Sequence, residues 1–119
     1  MLEAATIKGY HAHIYYTDAA SRAFAGELRE AIGKQFTVVL GRWRDMPVGP
    51  HPIPMYQVAF QPDEFGRLVP WLALNHGPLS VLIHPETGDD PTDHSVYALW
   101  LGEKLPLDIE FLRRIQRTV

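Results

Sequence analysis

The sequence predicts an α+β domain: one antiparallel sheet carrying two helices on one face, with a further strand and a short helix at the C-terminal end. Three observations predict it. Apolar residues alternate with period two in some stretches and recur every three to four residues in others, in the order strand–helix–strand–strand–helix–strand. The hydrophobic fraction is 46% and there are three Trp in 119 residues, enough to build a core of that size. No repeat, low-complexity tract or linker interrupts the pattern, so residues 1–119 read as a single domain. The element order is that of the ferredoxin-like fold with a C-terminal extension.

Residues 7–16 alternate as a half-buried strand should, with Tyr10, Ala12, Ile14 and Tyr16 on one face and His11, His13 and Tyr15 on the other. Asp18 offers an N-cap to a helix whose stripe is Ala20, Phe24, Leu28, Ala31 and Ile32, and Gly33 fits the left-handed position that ends one. Residues 36–43 form a second strand. Residues 44–54 hold four Pro, which deny the segment ladder hydrogen bonds, so it is a long, stiff loop of the kind that carries function. Residues 55–61 form a third strand, with Tyr56, Val58 and Phe60 on one face and Gln57 on the other.

Asp63 is placed to cap a second helix, with Phe65, Leu68, Val69 and Leu72 buried; Pro70 inside it predicts a kink or a late start. Asn75, His76, Gly77 and Pro78 stop that helix. Residues 79–84 form a fourth strand, an acidic loop follows (Glu86, Asp89, Asp90, Asp93), and residues 96–101 form a fifth strand. A terminal helix starts at Asp108, with Phe111, Leu112 and Ile115 as its apolar side.

The net charge of −3 and the lack of any Lys/Arg block argue against nucleic acid as a partner. No apolar run approaches the ~18 residues of a membrane span, and the N-terminus lacks the pattern of a signal peptide. These features predict a soluble, cytoplasmic protein. The chain has six His and no Cys, so any metal site would rest on imidazole and carboxylate.

In the expected topology the first strand lies between the third and fourth, antiparallel to both. That places His84, at the end of the fourth strand, beside His11. Parity turns Val81 and Ile83 toward the helices and Ser80, Leu82 and His84 toward the face of His11 and His13. His11 and His13 are ~6.5–7 Å apart at Cα and point the same way. A metal site of His11, His13 and His84 follows, with His94 able to complete it. Simpler readings stand beside this one: a solvent-facing His pair on an amphipathic strand, a loop histidine bonded to Asp89 or Asp93, and a solvated acidic turn. His76 fits a helix C-terminus and no function. The sheet face away from the helices needs cover, and a homodimer is one way to supply it.

Several segments look familiar in this order: Tyr10-His11-Ala12-His13-Ile14-Tyr15, Gly49-Pro50-His51 with Met55-Tyr56-Gln57, and Pro70-Trp71-Leu72 with Leu74-Asn75. The most specific is Val81-Leu82-Ile83-His84-Pro85 with Thr87-Gly88-Asp89, followed by Asp93-His94 and Trp100-Leu101-Gly102. Together they resemble the DOPA 4,5-dioxygenase family. The resemblance implies a ferredoxin-like domain that cleaves a catechol beside its diol, with O₂ and a DOPA-like or caffeate-like substrate. Such chemistry needs a redox metal with open positions, so Fe(II) is the expected cofactor, with Zn an occupant in a purified sample. Glu86, Asp89 and Asp93 are all candidates for a carboxylate beside the histidines. Ring cleavage also needs a group to take and return a proton, for which His51 on its Pro-locked loop is the candidate. Tyr15 and Gln57 are candidates for orienting the substrate. Two rivals use the same residues differently: a cofactor-independent monooxygenase, and a non-catalytic dimer that binds a metal or small molecule.

Overall fold

Residues 1–117 are described in a computed structural model. Five strands form one antiparallel sheet in the order β2-β3-β1-β4-β5: β1 is Tyr10–Tyr15, β2 Val39–Leu40, β3 Met55–Phe60, β4 Val81–Pro85 and β5 Leu99–Leu101. Two long helices, α1 (Ala19–Gln35) and α2 (Phe65–Asn75), cover one face, and α3 (Asp90–Asp93) and α4 (Ile109–Arg117) complete the chain. This is the ferredoxin-like arrangement with a fifth strand and a terminal helix, as the element order predicts. Among the described residues no helix is long and apolar enough to cross a membrane.

The period-two pattern divides the side chains as expected. Ala12, Ile14, Tyr16, Tyr56, Val58, Phe60, Val81 and Ile83 join Leu28, Ile32, Leu68 and Leu72 in the main core between sheet and helices. Tyr15, Met55 and Leu82 point to the other face, where Ile53, Trp100, Leu105 and Leu107 pack on them. The chain therefore covers part of its second face itself, using the Pro-rich loop and the segment after β5.

Local chemistry moves several boundaries. Asp18 caps α1 in a reciprocal capping box with Ser21, but the helix runs through Gly33 to Gln35. Gly33 serves close packing instead of a stop: a Cβ there would lie 3.3 Å from the Leu40 side chain. Asp63 caps nothing, because Pro62 opens a 3₁₀ turn (Pro62–Glu64) that runs into α2 at Phe65. Pro70 lies inside that helix, and the intrahelical bond it cannot donate is the one to the Gly66 carbonyl. Ladder pairing of β2 is confined to two residues because the chain then bulges. Gly41 N–H bonds to the Gln57 carbonyl, yet the next pairing is Arg44 with Met55, three residues set against two. The strand expected over 96–101 pairs only from Leu99, since turns after α3 occupy its first half. At the C-terminal helix, Asp108 accepts a hydrogen bond from Phe111 N–H, as an N-cap should.

Candidate metal centre and adjoining pocket

Strands β1 and β4 bring three histidines together. His11 is the Cα partner of His84 and His13 that of Leu82, so His13 and His84 meet diagonally across the ladder. Their Nε2 atoms are 3.1 Å apart. Among the described residues His11, His13 and His84 form a group in which one ligand atom from each lies within 4.8 Å of the others. His94 adds a fourth ring, its centroid 3.9 Å from that of His84, but it lies outside that trio.

The partners of each ring settle its protons. A carbonyl or carboxylate only accepts, so the facing ring nitrogen must donate. His84 Nδ1 lies 3.0 Å from the Pro85 carbonyl, His94 Nδ1 2.8 Å from the Asp90 carbonyl and His11 Nδ1 3.0 Å from Glu86 Oε1. In the neutral rings each Nε2 then presents a lone pair. Histidines that bind metals are oriented in this way, with the far N–H tied to a carbonyl or carboxylate.

His13 is the exception, because its Nδ1 is buried with no hydrogen-bond partner. If His13 Nε2 carries the proton and donates to His84, Nδ1 keeps a buried, unsatisfied lone pair. If Nδ1 carries the proton, two lone pairs face each other across 3.1 Å. A cation between the two Nε2 atoms relieves the second arrangement. Two nitrogens held about 2.0–2.1 Å from one ion, at angles of about 90–110°, lie about 2.8–3.4 Å apart. The donor set and this orphaned atom fit a divalent transition metal.

Burial keeps the rings neutral, as ligands must be. His13 and His84 are 3% and 1% exposed. Burial, and then the neighbouring imidazoles, push His13 well below the usual histidine range. Burial and then His94 push His84 down to about 3. The hydrogen bond from His11 holds the Glu86 carboxyl below its usual range.

His51 is carried over this cluster by the Pro-rich loop, its ring centroid 4.3 Å from that of His13. Tyr15, two residues beyond His13 on the same face, holds it: the Tyr15 hydroxyl is 2.7 Å from His51 Nδ1. Burial and then His94 lower His51 to about 4, and burial raises Tyr15 above the usual phenol range. Trp100 stacks on Tyr15 at 6.0 Å and closes that side.

The acidic loop divides its labour. Asp89 caps α3, accepting from Thr92 N–H and Oγ1, and the fully buried Asp93 accepts from Thr87 N–H and Oγ1. These two carboxylates are committed to the loop. Glu86 is the one that reaches the histidines, bonded to His11 and 3.5 Å from His84 Nδ1. His76, as expected of a helix end, caps α2, with Nδ1 3.0 Å from the Leu79 carbonyl.

A pocket of about 270 Å³ opens beside His13 and His51, and Gln57, Met55, Arg42 and Arg44 are among the residues that line it. Gln57 is the ladder partner of His13, which explains its place. The two arginines were not anticipated from the sequence. The available signal was the run Gly41-Arg42-Trp43-Arg44, which puts two cations two residues apart in a strand otherwise read for its apolar residues.

The Dopa 4,5-dioxygenase family matches residues 10–111, from the first ladder residue of β1 into α4. A crystal structure of a "putative dioxygenase" from Nostoc punctiforme PCC 73102 superposes with a TM-score of 0.94 at 56% identity, covering 97% of this chain and 99% of that one. The DOPA 4,5-dioxygenase of Amanita muscaria is 35% identical over 87% of this chain, and an uncharacterized 21.2 kDa protein of Botryotinia fuckeliana is 39% identical over 91%. The aligned region spans 49% and 65% of those two relatives' own lengths. With a match that takes in β1, β4, the Pro-rich loop and every histidine of the cluster, this chain belongs to the Dopa 4,5-dioxygenase family.

Proposed function

We propose that the chain is an extradiol dioxygenase domain that opens catechol rings, with Fe(II) held by His11, His13 and His84 and with His94 stacked against the last of them. The observation that carries this reading is the 3.1 Å approach of two Nε2 atoms, one on a ring already tied down through Nδ1 and the other on a ring with an orphaned Nδ1. Family membership supports dioxygenase chemistry in particular, and the relative from Amanita muscaria supports a catechol as its target. When bound, Fe(II) supplies the one-electron exchange that lets a closed-shell catechol react with O₂.

The chain's own residues do the rest. His51 is the proton carrier: with Nδ1–H directed at the Tyr15 oxygen, its Nε2 lone pair takes a proton from the diol. Its low pKa suits storage in the neutral form, and a catecholate anion beside it would raise that pKa again. Tyr15 fixes the ring plane of His51, its hydroxyl accepting from Nδ1–H in the tautomer that leaves Nε2 free. Glu86 performs the same service for His11, and the Pro85 carbonyl for His84. Gln57 is placed to hydrogen-bond the substrate. In the net reaction the ring C–C bond next to the diol breaks and both atoms of O₂ enter the product. The muconic semialdehyde forms with no external reductant, and His51 returns its proton.

The test is to load the protein anaerobically with Fe(II), add a panel of catechols including DOPA and caffeate, and admit O₂. One O₂ consumed per yellow ring-opened product is the expected result. Activity that survives metal removal, or no product from any catechol, overturns the reading.

A further inference from the structure

We propose that Phe111 and the backbone N–H of Asp108 form a clasp that positions His51: the segment after β5 grips the tip of the Pro-rich loop and holds its imidazole over the histidine cluster. The inference rests on the ring-cleavage reading for its catalytic consequence, but not for the grip itself.

The loop has little packing of its own with which to hold that ring. Its neck is closed by two backbone bonds between Arg44 and Met55, 2.8 and 3.0 Å long. Just past the neck, Asp45 accepts from the Tyr16 hydroxyl and from Arg22, which ties the base of the loop to β1 and α1. Residues 44–49 are nevertheless exposed, and burial returns only at Pro50 and His51. Segments with few buried contacts open locally at little free energy. The His51 side chain itself is held by one hydrogen bond to the Tyr15 hydroxyl, at 2.7 Å. That bond keeps its length only if the backbone beneath the ring stays in place.

The hold on that backbone comes from the far end of the chain. Asp108 N–H donates to the Pro50 carbonyl at 2.9 Å, one residue before His51. Gly49 takes a φ of +57°, and a Cβ there would lie 3.6 Å from Phe111 Cε1, so the half-buried Phe111 ring is seated on the turn itself. The same turn closes with His51 N–H on the Val48 carbonyl, at 3.0 Å. Asp108 also caps α4 by accepting from Phe111 N–H, so both grips belong to one helix start. Upstream, Leu105 and Leu107 pack on the cluster of Tyr15, Met55 and Leu82. Downstream, α4 lies against α3, whose C-cap is His94. The segment therefore joins the loop that carries His51 to the helix that presents His94. A proton carrier works only in a narrow range of geometry, so a clasp at this point governs rate.

The test reads access to His51 and, separately, turnover. Diethyl pyrocarbonate acylates neutral imidazoles, and at about pH 7.5 an imidazole is largely neutral whether buried or free. Its rate at His51, followed by peptide mass spectrometry on metal-free and Fe(II)-loaded protein, therefore reports access. Phe111→Ala is expected to speed modification of His51 about tenfold, the scale of losing a half-buried aromatic contact. His76 should react at the wild-type rate, and bound Fe(II) should match the wild type. Ring opening should show kcat lowered about ten- to a hundredfold, with KM within about twofold. Phe111→Leu keeps an apolar contact and should lie between, with His51 modified about threefold faster. Arg113→Ala, at an exposed residue of the same helix that pairs with Glu110, should behave as the wild type. If Phe111→Ala does not fold, Phe111→Leu against Arg113→Ala carries the test. An unchanged His51 rate in the Phe111 variants, an equal rise in Arg113→Ala, or an unchanged kcat with His51 unmasked overturns the clasp. Selective unmasking of His51 in a protein whose wild type opens no catechol ring upholds the clasp and removes the dioxygenase reading instead.

Discussion

Nε2 of His13 lies 3.1 Å from Nε2 of His84, although the two residues are diagonal and not direct partners across the β1–β4 ladder. The antiparallel register sets this distance: a shift by one residue would send His84 to the helix face and replace it with Ile83 or Pro85. If the pair holds a metal, His13→Ala and His84→Ala each remove a ligand without disturbing ladder hydrogen bonds. Each variant should lose stoichiometric metal on purification and keep its far-ultraviolet circular dichroism. Elemental analysis decides it, and full metal content in both variants would remove these residues from the centre.

Glu86 touches His11 at 3.0 Å and serves to aim that ring. Glu86→Gln keeps the shape but replaces the carboxylate with a neutral amide. We expect metal affinity to fall about 10–100-fold, the usual scale for losing an orienting partner of a ligand. A chelator competition titration reads the change directly. An unchanged affinity would mean that Glu86 only decorates the rim.

The parts of this molecule legible in the sequence are those governed by period two. The faces of β1 and β4 follow from alternation alone, and with the topology they bring His11 to His84. The parts that escaped are set by single residues acting out of pattern. Pro62 displaced the start expected from Asp63, packing against Leu40 made Gly33 a spacer, and the bulge after Gly41 cut short the pairing of β2. The acidic loop also concealed its roles, because Glu86, Asp89 and Asp93 look alike until their donors are known: Thr92 for Asp89, Thr87 for Asp93 and His11 for Glu86.

His51 and Tyr15 make a separable prediction, since neither belongs to the trio of converging ligand atoms. His51→Gln should retain metal and lower kcat by about 10²–10⁴-fold, the range for a general acid–base group. Tyr15→Phe removes only the hydroxyl that holds Nδ1 at 2.7 Å and should cost roughly tenfold. Single-turnover kinetics on metal-loaded variants makes the comparison. A His51→Gln variant at wild-type rate would require another proton carrier.

Three buried histidines also tie stability to pH. His13, His51 and His84 are pushed down, the last two to about 4 and about 3, from an ordinary value near 6.5. Above pH 6.5 they are neutral in both folded and unfolded chains, and folding is not penalised. As the pH falls below 6.5 the unfolded chain takes up protons that the folded chain refuses, so stability falls until the folded values are reached. At pH 5 the loss is on the order of 2 kcal/mol each for His51 and His84, and His13 adds to it in the same direction. Tm of the metal-free protein should therefore drop steeply between pH 6.5 and 5, before most carboxylates titrate. A flat profile over that interval would show that these rings are more hydrated than their burial implies.

Asp93 is fully buried, and its two oxygens face Thr87 N–H and Thr87 Oγ1, at 2.9 and 2.6 Å. It ties the turn after β4 to α3, and α3 in turn positions His94 through the Asp90 carbonyl. Asp93→Ala leaves two donors of half-buried Thr87 without their acceptor, which costs about 1–3 kcal/mol. The stability loss should appear in urea unfolding with little change in the affinity of the remaining protein for metal, because His11, His13 and His84 stand on the ladder and not on this loop. Asp93→Asn should recover part of it, since an amide oxygen still accepts one of the two bonds. If Asp93→Ala instead lost its metal at unchanged stability, the carboxylate would belong to the centre and not to the wall that supports it.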